Sequence, residues 1–304
     1  MIKKITLTLA LTAAAFAGGF GSNSNDKPQY LPNPDGGRNQ YIICTASDTG
    51  SYFKAGKRLV QLLGQDRING TKNGKGGNWL GYAATTDGTA MNYDLMSEGI
   101  CNVSIMQGDH IAYLRGVDKS FFDNKAVIFL DRTENVQLIM RKGMDEDDLQ
   151  DKGAKVLVGL AASGGAASYK NMTALESGYG KATVVYGDID ISALSDLAAG
   201  RIDGIIRTSH LDPAHDQLAK DVQGIKGIYF ADLDDSNLNN SVDFGDGDVE
   251  IYKFVDTVVA KGFFDTEAET LETHVAIVID KKNMSKKQKN KILRVITQNK
   301  KNLF

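Results

Sequence analysis

Polar side chains recur in this chain at one kind of place, between an apolar, strand-like run and a helical one. The first such turn, Ser47-Asp48-Thr49-Gly50-Ser51-Tyr52, follows Tyr41 to Cys44, and the second, Thr86-Asp87-Gly88-Thr89, follows Trp79 to Thr85. Gln107 stands just after Val103 to Met106, and Ser163-Gly164-Gly165 just after Lys155 to Leu160. Turns of this design aim free backbone N–H groups and the positive end of a helix dipole at whatever sits above the strand ends. The chemistry on offer is hydrogen bonding to a small polar or anionic ligand. Placed in two halves of the chain, the turns imply two lobes that each supply half a site.

Plainer roles compete with this reading. Ser and Thr before a helix are common N-caps, and Tyr52 suits either a ligand or the core face of the first helix. Gln107 is different, because a loop amide after an apolar strand has little packing use. Catalytic readings are weaker. Ser163 lacks the glycine two residues earlier that a nucleophile elbow needs, since Ala161 stands there. His210 and His215 flank Pro213, which breaks the segment, so they need not share a face for a metal. The acidic stretch 232–248 fails the spacing of a calcium loop. No metal or cofactor is expected, and no enzyme. The competing reading is a bilobal enzyme or ligand sensor on the same fold, with Ser163 or the segment His210–Asp216 reactive.

The elements must hold these turns in place. A chain of 304 residues has room for two domains, and 42% hydrophobic with 24% charged residues is a globular profile. Residues 1–17 read as a cleaved secretory signal. Lys3 and Lys4 precede an apolar stretch too short to span a bilayer comfortably, and Ala15 and Ala17 fit a cleavage site before Gly18. A periplasmic location follows. Residues 18–39, rich in Gly, Ser, Asn and Pro, read as a flexible leader. Cleavage leaves 33 basic against 38 acidic residues, a balance that argues against a nucleic-acid partner. A basic tail from Lys281 to Arg294 reads first as the solvated face of an amphipathic helix. Cys44 and Cys101 are the two cysteines, and both fall in apolar runs. Parallel strands would place one late and the other early, an offset that disfavours a bridge.

Strand and helix signals alternate from residue 40 onward, which argues a parallel-rich α/β architecture. Separate strands are expected at 126–130 and 136–140, and helices starting at 145 and at Pro213. Lobe 1 should span 40–133 and be completed by about 245–304, with lobe 2 over 134–244.

The motifs resemble those of the TAXI family, the solute receptors of TRAP transporters. Thr45 to Gly56 fits, without a gap, that family's opening Thr-Gly-Gly-Thr-Gly-Gly-x-Tyr-Tyr-Pro-x-Gly pattern, with Thr45, Gly50, Tyr52 and Gly56 matching in kind. Thr86, Gly88, Thr89, Asn92, Gly99, Gln107 and Asp109 fall in register with a second family stretch, and Asp196 to Asp203 with Pro213 fits a third. Gly159 to Ala166 fits loosely. The resemblance implies a type II periplasmic-binding-protein fold whose two lobes close on a ligand like a hinged clamp. It also implies delivery of the ligand to TRAP-type membrane permease subunits. Ala46, Ser47 and Thr49 replace family glycines, Asp48 replaces a threonine, and Asp87 replaces another glycine. If they face the cleft, the two carboxylates oppose a simple dicarboxylate and favour a ligand with a cationic or hydroxyl-rich part.

Overall fold

A computed structural model of the chain describes residues 40–65, 80–151, 153–239, 241–243, 248–262, 264–282 and 284–304. The expected signal and leader, and residues 66–79 after the first helix, lie outside the described residues.

Each lobe repeats one design. Lobe 1 opens with β1 (Gln40–Cys44), α1 (Ser51–Gln65), β2 (Leu80–Ala84), α2 (Thr89–Ser97), β3 (Val103–Gln107), α3 (Gly108–Val117) and the long β4 (Lys125–Arg141). Lobe 2 continues with β5 (Lys155–Leu157), α4 (Gly164–Leu175), β6 (Thr183–Val185), α5 (Ile191–Ala198), β7 (Gly204–Ser209), α6 (Gln217–Gly224) and β8 (Ile228–Ala231). A small hairpin of β9 (Ser241–Asp243) and β10 (Asp248–Glu250) precedes β11 (Lys253–Ala260), the long β12 (Thr266–Asp280) and α7 (Lys286–Asn299).

The sheet of lobe 1 runs β2-β1-β3-β12-β4, and that of lobe 2 runs β6-β5-β7-β4-β8. In both, the first three strands are parallel and the next two alternate in direction. The lobes are joined because β4 serves both sheets. Residues Lys125 to Val136 pair with β12, and from Asn135 onward β4 pairs with β7 and then β8 as well. Where β4 changes lobe, its register against β12 slips: His274 faces Thr133 but Ala276 faces Phe129. Such a bulge bends the strand.

Alternation along the strands explains the layers. In β12, Val275, Ile277 and Ile279 enter the core under α1 and α7, while Ala276 and Val278 enter the core under α2 and α3. A strand buried on both faces reads as a continuous apolar run, as Val275 to Ile279 does.

Several expectations need correction. The strands expected at 126–130 and 136–140 are one strand, β4. The helix placed at Pro213 begins at Gln217, because Asp216 caps it by accepting the Ala219 N–H at 3.2 Å. The acidic start at 145–149 forms only a short 3-10 turn over 147–150. The return to lobe 1 comes late: Ile251, Tyr252, Val259, Ala260, Ala268 and Leu271 pack in the cores of lobe 2, and β12 re-enters lobe 1 near Val275. Finally, Cys44 and Cys101 form a disulfide, with Cα atoms 5.9 Å apart.

Candidate functional site

The turn after β1 divides into an anchored and an open part. Thr45 is buried, and its hydroxyl donates to the Ala84 carbonyl at 2.7 Å, locking the turn to β2. Gly56 lets α1 lie on that turn, since a Cβ there would come within 2.5 Å of the Thr45 methyl. Ser47, Asp48 and Thr49 are exposed, and Gly50 and Ser51 are half-buried at the start of α1. Tyr52 points inward and is 5% exposed.

The second turn is largely spent on its own framework. The buried Thr86 hydroxyl lies 2.7 Å from the Asn92 amide oxygen and 3.1 Å from the Thr45 carbonyl. The Asn92 amide in turn donates to Thr45 and Ile105, tying three strand ends together. Thr89 accepts the Gln107 N–H at 3.3 Å. Asp87 is exposed. Gly88 adopts φ 127°, a region that favours glycine, and a Cβ there would sit 2.9 Å from the Ala162 carbonyl of the other lobe.

The lobe 2 turn is built around the start of α4. Ser163 caps the helix by accepting the Ala166 N–H at 3.4 Å, and its hydroxyl donates to the Val158 carbonyl at 3.1 Å. Gly165 allows the helix to press on β5 and β7, because a Cβ would meet the Val158 and Ile206 carbonyls within 2.8 Å. With Ala166 capped and Ala167 bonded to the Ser163 carbonyl, the N–H groups of Gly164 and Gly165 have no acceptor within the helix.

Gln107 faces this helix start across the lobe boundary. It is 1% exposed, and a Cβ on Gly164 would lie 2.6 Å from its amide oxygen. Neither atom of the Gln107 amide makes a hydrogen bond. Beside it stands Glu134, on the bulged stretch of β4, which takes a 2.9 Å hydrogen bond from the Tyr52 hydroxyl. Burial pushes the Glu134 carboxyl up to about 7; the Tyr52 bond and nearby Arg132 pull it down, and the charge of Asp109 pushes it further up. Gln107 is near enough to steady Glu134, yet their geometry completes no bond. The Arg132 guanidinium lies 4.7 Å from the Phe304 ring, with its Nε unpartnered.

A second buried carboxylate closes the lobes on each other. Asp109, in the first turn of α3, is fully buried and accepts from Ser168 of α4 at 2.5 Å and from Tyr252 at 3.0 Å. Ser168 also lies 2.8 Å from the Thr208 hydroxyl. Burial raises the Asp109 carboxyl above its ordinary range, against the pull of these two donors.

Of the residues singled out in the sequence, Gly88, Gln107, Ser163 and Gly164 meet at the lobe boundary, and Tyr52 donates its hydroxyl hydrogen bond to Glu134. Asp48 and Asp87 remain on the surface. Glu134, Arg132 and the Asp109 network were not anticipated as site groups. Asp109 carried a signal, its register with the family motif; Glu134 carried none, because it sits between what read as two strands. His210 contacts the Thr133 carbonyl and His215 contacts Asp212, and among the described residues no group of three metal-binding side chains occurs. A cavity of about 360 Å³ beside α4, reaching Tyr113, Tyr169, Lys170 and Tyr186, includes none of the anticipated residues.

No family model matches the sequence, and no curated protein does. Solved structures share its layout at low identity. A Xanthomonas citri protein bound to ATP is 9% identical, with 86% of this chain and 83% of that one covered and a TM-score of 0.48. ArgBP from T. maritima, as a P235GK mutant, is 14% identical over 87% and 90%, with a TM-score of 0.42. An amino acid ABC transporter substrate-binding protein from Streptococcus pneumoniae, bound to L-arginine, is 13% identical over 86% and 89%, with a TM-score of 0.44. Similarities at this level carry no argument about what this chain binds. The assignment rests on the chain's own topology: two α/β lobes of the same strand order, joined by long antiparallel strands, form the two-lobed type II periplasmic-binding-protein fold.

Proposed function

We propose that this chain is an exported receptor that captures a small polar or organic-anion ligand between its lobes and does no chemistry on it. The observation that carries the reading is Gln107. A buried amide with no hydrogen bond costs about 1–3 kcal/mol for each unmet group, and that cost is relieved when a ligand supplies the partners. It is held against the start of α4, where the unpaired Gly164 and Gly165 N–H groups and the helix dipole favour an acceptor or anion. Glu134, close to the Gln107 amide, favours a donor. A ligand that joins an acceptor to a cationic or hydroxyl-rich part suits the set. Beside the exposed Asp48 and Asp87, the buried Glu134 adds a carboxyl group to the set. Ser163 spends its hydroxyl on Val158 and on its cap, which argues against a nucleophile.

The resemblance to TAXI receptors supports the further step, delivery to TRAP-type membrane permease subunits from the periplasm. Calorimetry of purified protein against a panel of amino acids and organic acids tests the core of the reading. A member of the panel should bind and be recovered unchanged. Gln107→Leu should weaken it at least tenfold while leaving the circular dichroism spectrum intact. Conversion of the ligand, or equal affinity of the variant, would overturn the assignment.

A further inference from the structure

The charge of this chain is strongly segregated. Residues 281–304 carry eight Lys, one Arg and no acidic residue, while the rest of the chain holds 26 basic against 38 acidic residues. That terminal segment is α7 with its flanks. Ile292, Val295, Ile296 and Leu303 bury its apolar side in the core of lobe 1; Lys291 is buried with them, and the other cations of the segment are exposed or half-buried. Lys282, Lys286 and Lys301 are exposed. α1 packs beside α7 and adds Lys54, Lys57 and Arg58, all exposed and spaced three and four residues apart on one helical stripe. Asp280, at the margin of the patch, is already engaged with Lys125 at 3.9 Å.

We propose that this α1–α7 face docks on an anionic lipid surface. Amphipathic attachment with a buried apolar face is already satisfied, so the contact is electrostatic and peripheral. Lysine predominates, and a compact ammonium on a flexible stem suits a diffuse field of lipid charge; bidentate capture of carboxylates on a partner protein would favour arginine. Cations near an anionic leaflet are attracted over about a Debye length, and salt screens that attraction. The acidic remainder of the chain is repelled by the same surface, so lobe 1 faces the bilayer with its helical layer.

Co-sedimentation of the purified protein with vesicles tests it. Vesicles of phosphatidylcholine with 30% phosphatidylglycerol should pull down protein at about 50 mM NaCl and release it at least tenfold at about 500 mM. Vesicles of phosphatidylcholine alone should not retain it. The variant Lys54→Glu, Lys57→Glu, Lys286→Glu and Lys301→Glu should lose binding at least tenfold with unchanged circular dichroism, all four side chains being exposed. No binding to the anionic vesicles at low salt would overturn the proposal, as would retention by the four-site variant. Capture by immobilised poly-glutamate without capture by anionic vesicles would also overturn it, in favour of an acidic protein partner.

Discussion

Glu134 pays for its position. It is a carboxyl group held at a strand bulge, 7% exposed, with a phenol as its hydrogen-bond donor. Its folded-state pKa of about 7 stands above the ordinary 4.5, so the folded chain holds the proton where the unfolded chain has lost it. Stability from this group is therefore full below about 4.5 and is lost as the pH rises toward 7. Glu146, also pushed up to about 7 by burial, acts in the same direction. His110, lowered to about 4 by burial, acts the other way and costs stability as the pH falls from 6.5 toward 4. A difference measurement separates them. Glu134→Gln should match the wild type near pH 4 and exceed it near pH 8, by on the order of 3 kcal/mol in urea unfolding. A difference that does not change with pH would show that the Glu134 carboxyl is not shifted. At this scale the sequence was partly legible. Gln107 stood out because an amide after an apolar strand has little packing use, and the structure buries it at the lobe boundary with its amide unbonded. Glu134 could not, because Asp131-Arg132-Thr133-Glu134-Asn135 interrupts two apolar runs and looks like a turn, whereas it is the bulged stretch of β4.

Among the elements, strands and helices were legible where periodicity was strong, and pairing was not. A bridge is disfavoured only if Cys101 continues β3 in the N-terminal direction. The β1–β3 register pairs Ile43 with Val103, which carried straight on would put Cys101 beside Tyr41, roughly 10 Å from Cys44 along the strand. The chain does not carry straight on. Gly99, at φ 75°, ends α2, and Asn102 exchanges two hydrogen bonds with Ile42 through its N–H and its side-chain oxygen. The turn brings Cys101 back to Cys44 in a small core with Ile42 and Ala84. A bridge spanning 57 residues of sequence restricts the unfolded chain by about 4 kcal/mol in the loop-entropy description. The double variant Cys44→Ser, Cys101→Ser should lose about that much stability and melt roughly 10 °C lower. Thiol titration of the unreduced, denatured protein should find no free thiol; two would remove the basis of the prediction.

The whole molecule poses the question of what keeps the lobes together. Two lobes were legible from the recurrence of one turn design, but the contact between them was not, because it is made by residues far apart in sequence. In the structure the lobes touch through Gly88 against Ala162 and through Gln107 against Gly164. Between α3 and α4 they are latched by Asp109, which holds Ser168 across the boundary and Tyr252 from the segment before β11. A net hydrogen bond contributes about 0.5–1.5 kcal/mol and a buried donor left unmet costs about 1–3 kcal/mol, enough to tilt a balance between open and closed lobes that differ by a few kcal/mol. Asp109→Ala removes the acceptor and leaves the Ser168 and Tyr252 hydroxyls buried without it when the lobes are closed, so the open form gains. Without ligand, small-angle scattering should give a larger radius of gyration for Asp109→Ala than for the wild type. Addition of a ligand found by calorimetry should contract the variant toward the wild-type value, because binding favours the closed form of both. The wild type, already latched, should contract less. Equal radii for the two proteins without ligand would mean that Asp109 does not set the balance, and that the lobes are held by the packing of α3 on α4 alone.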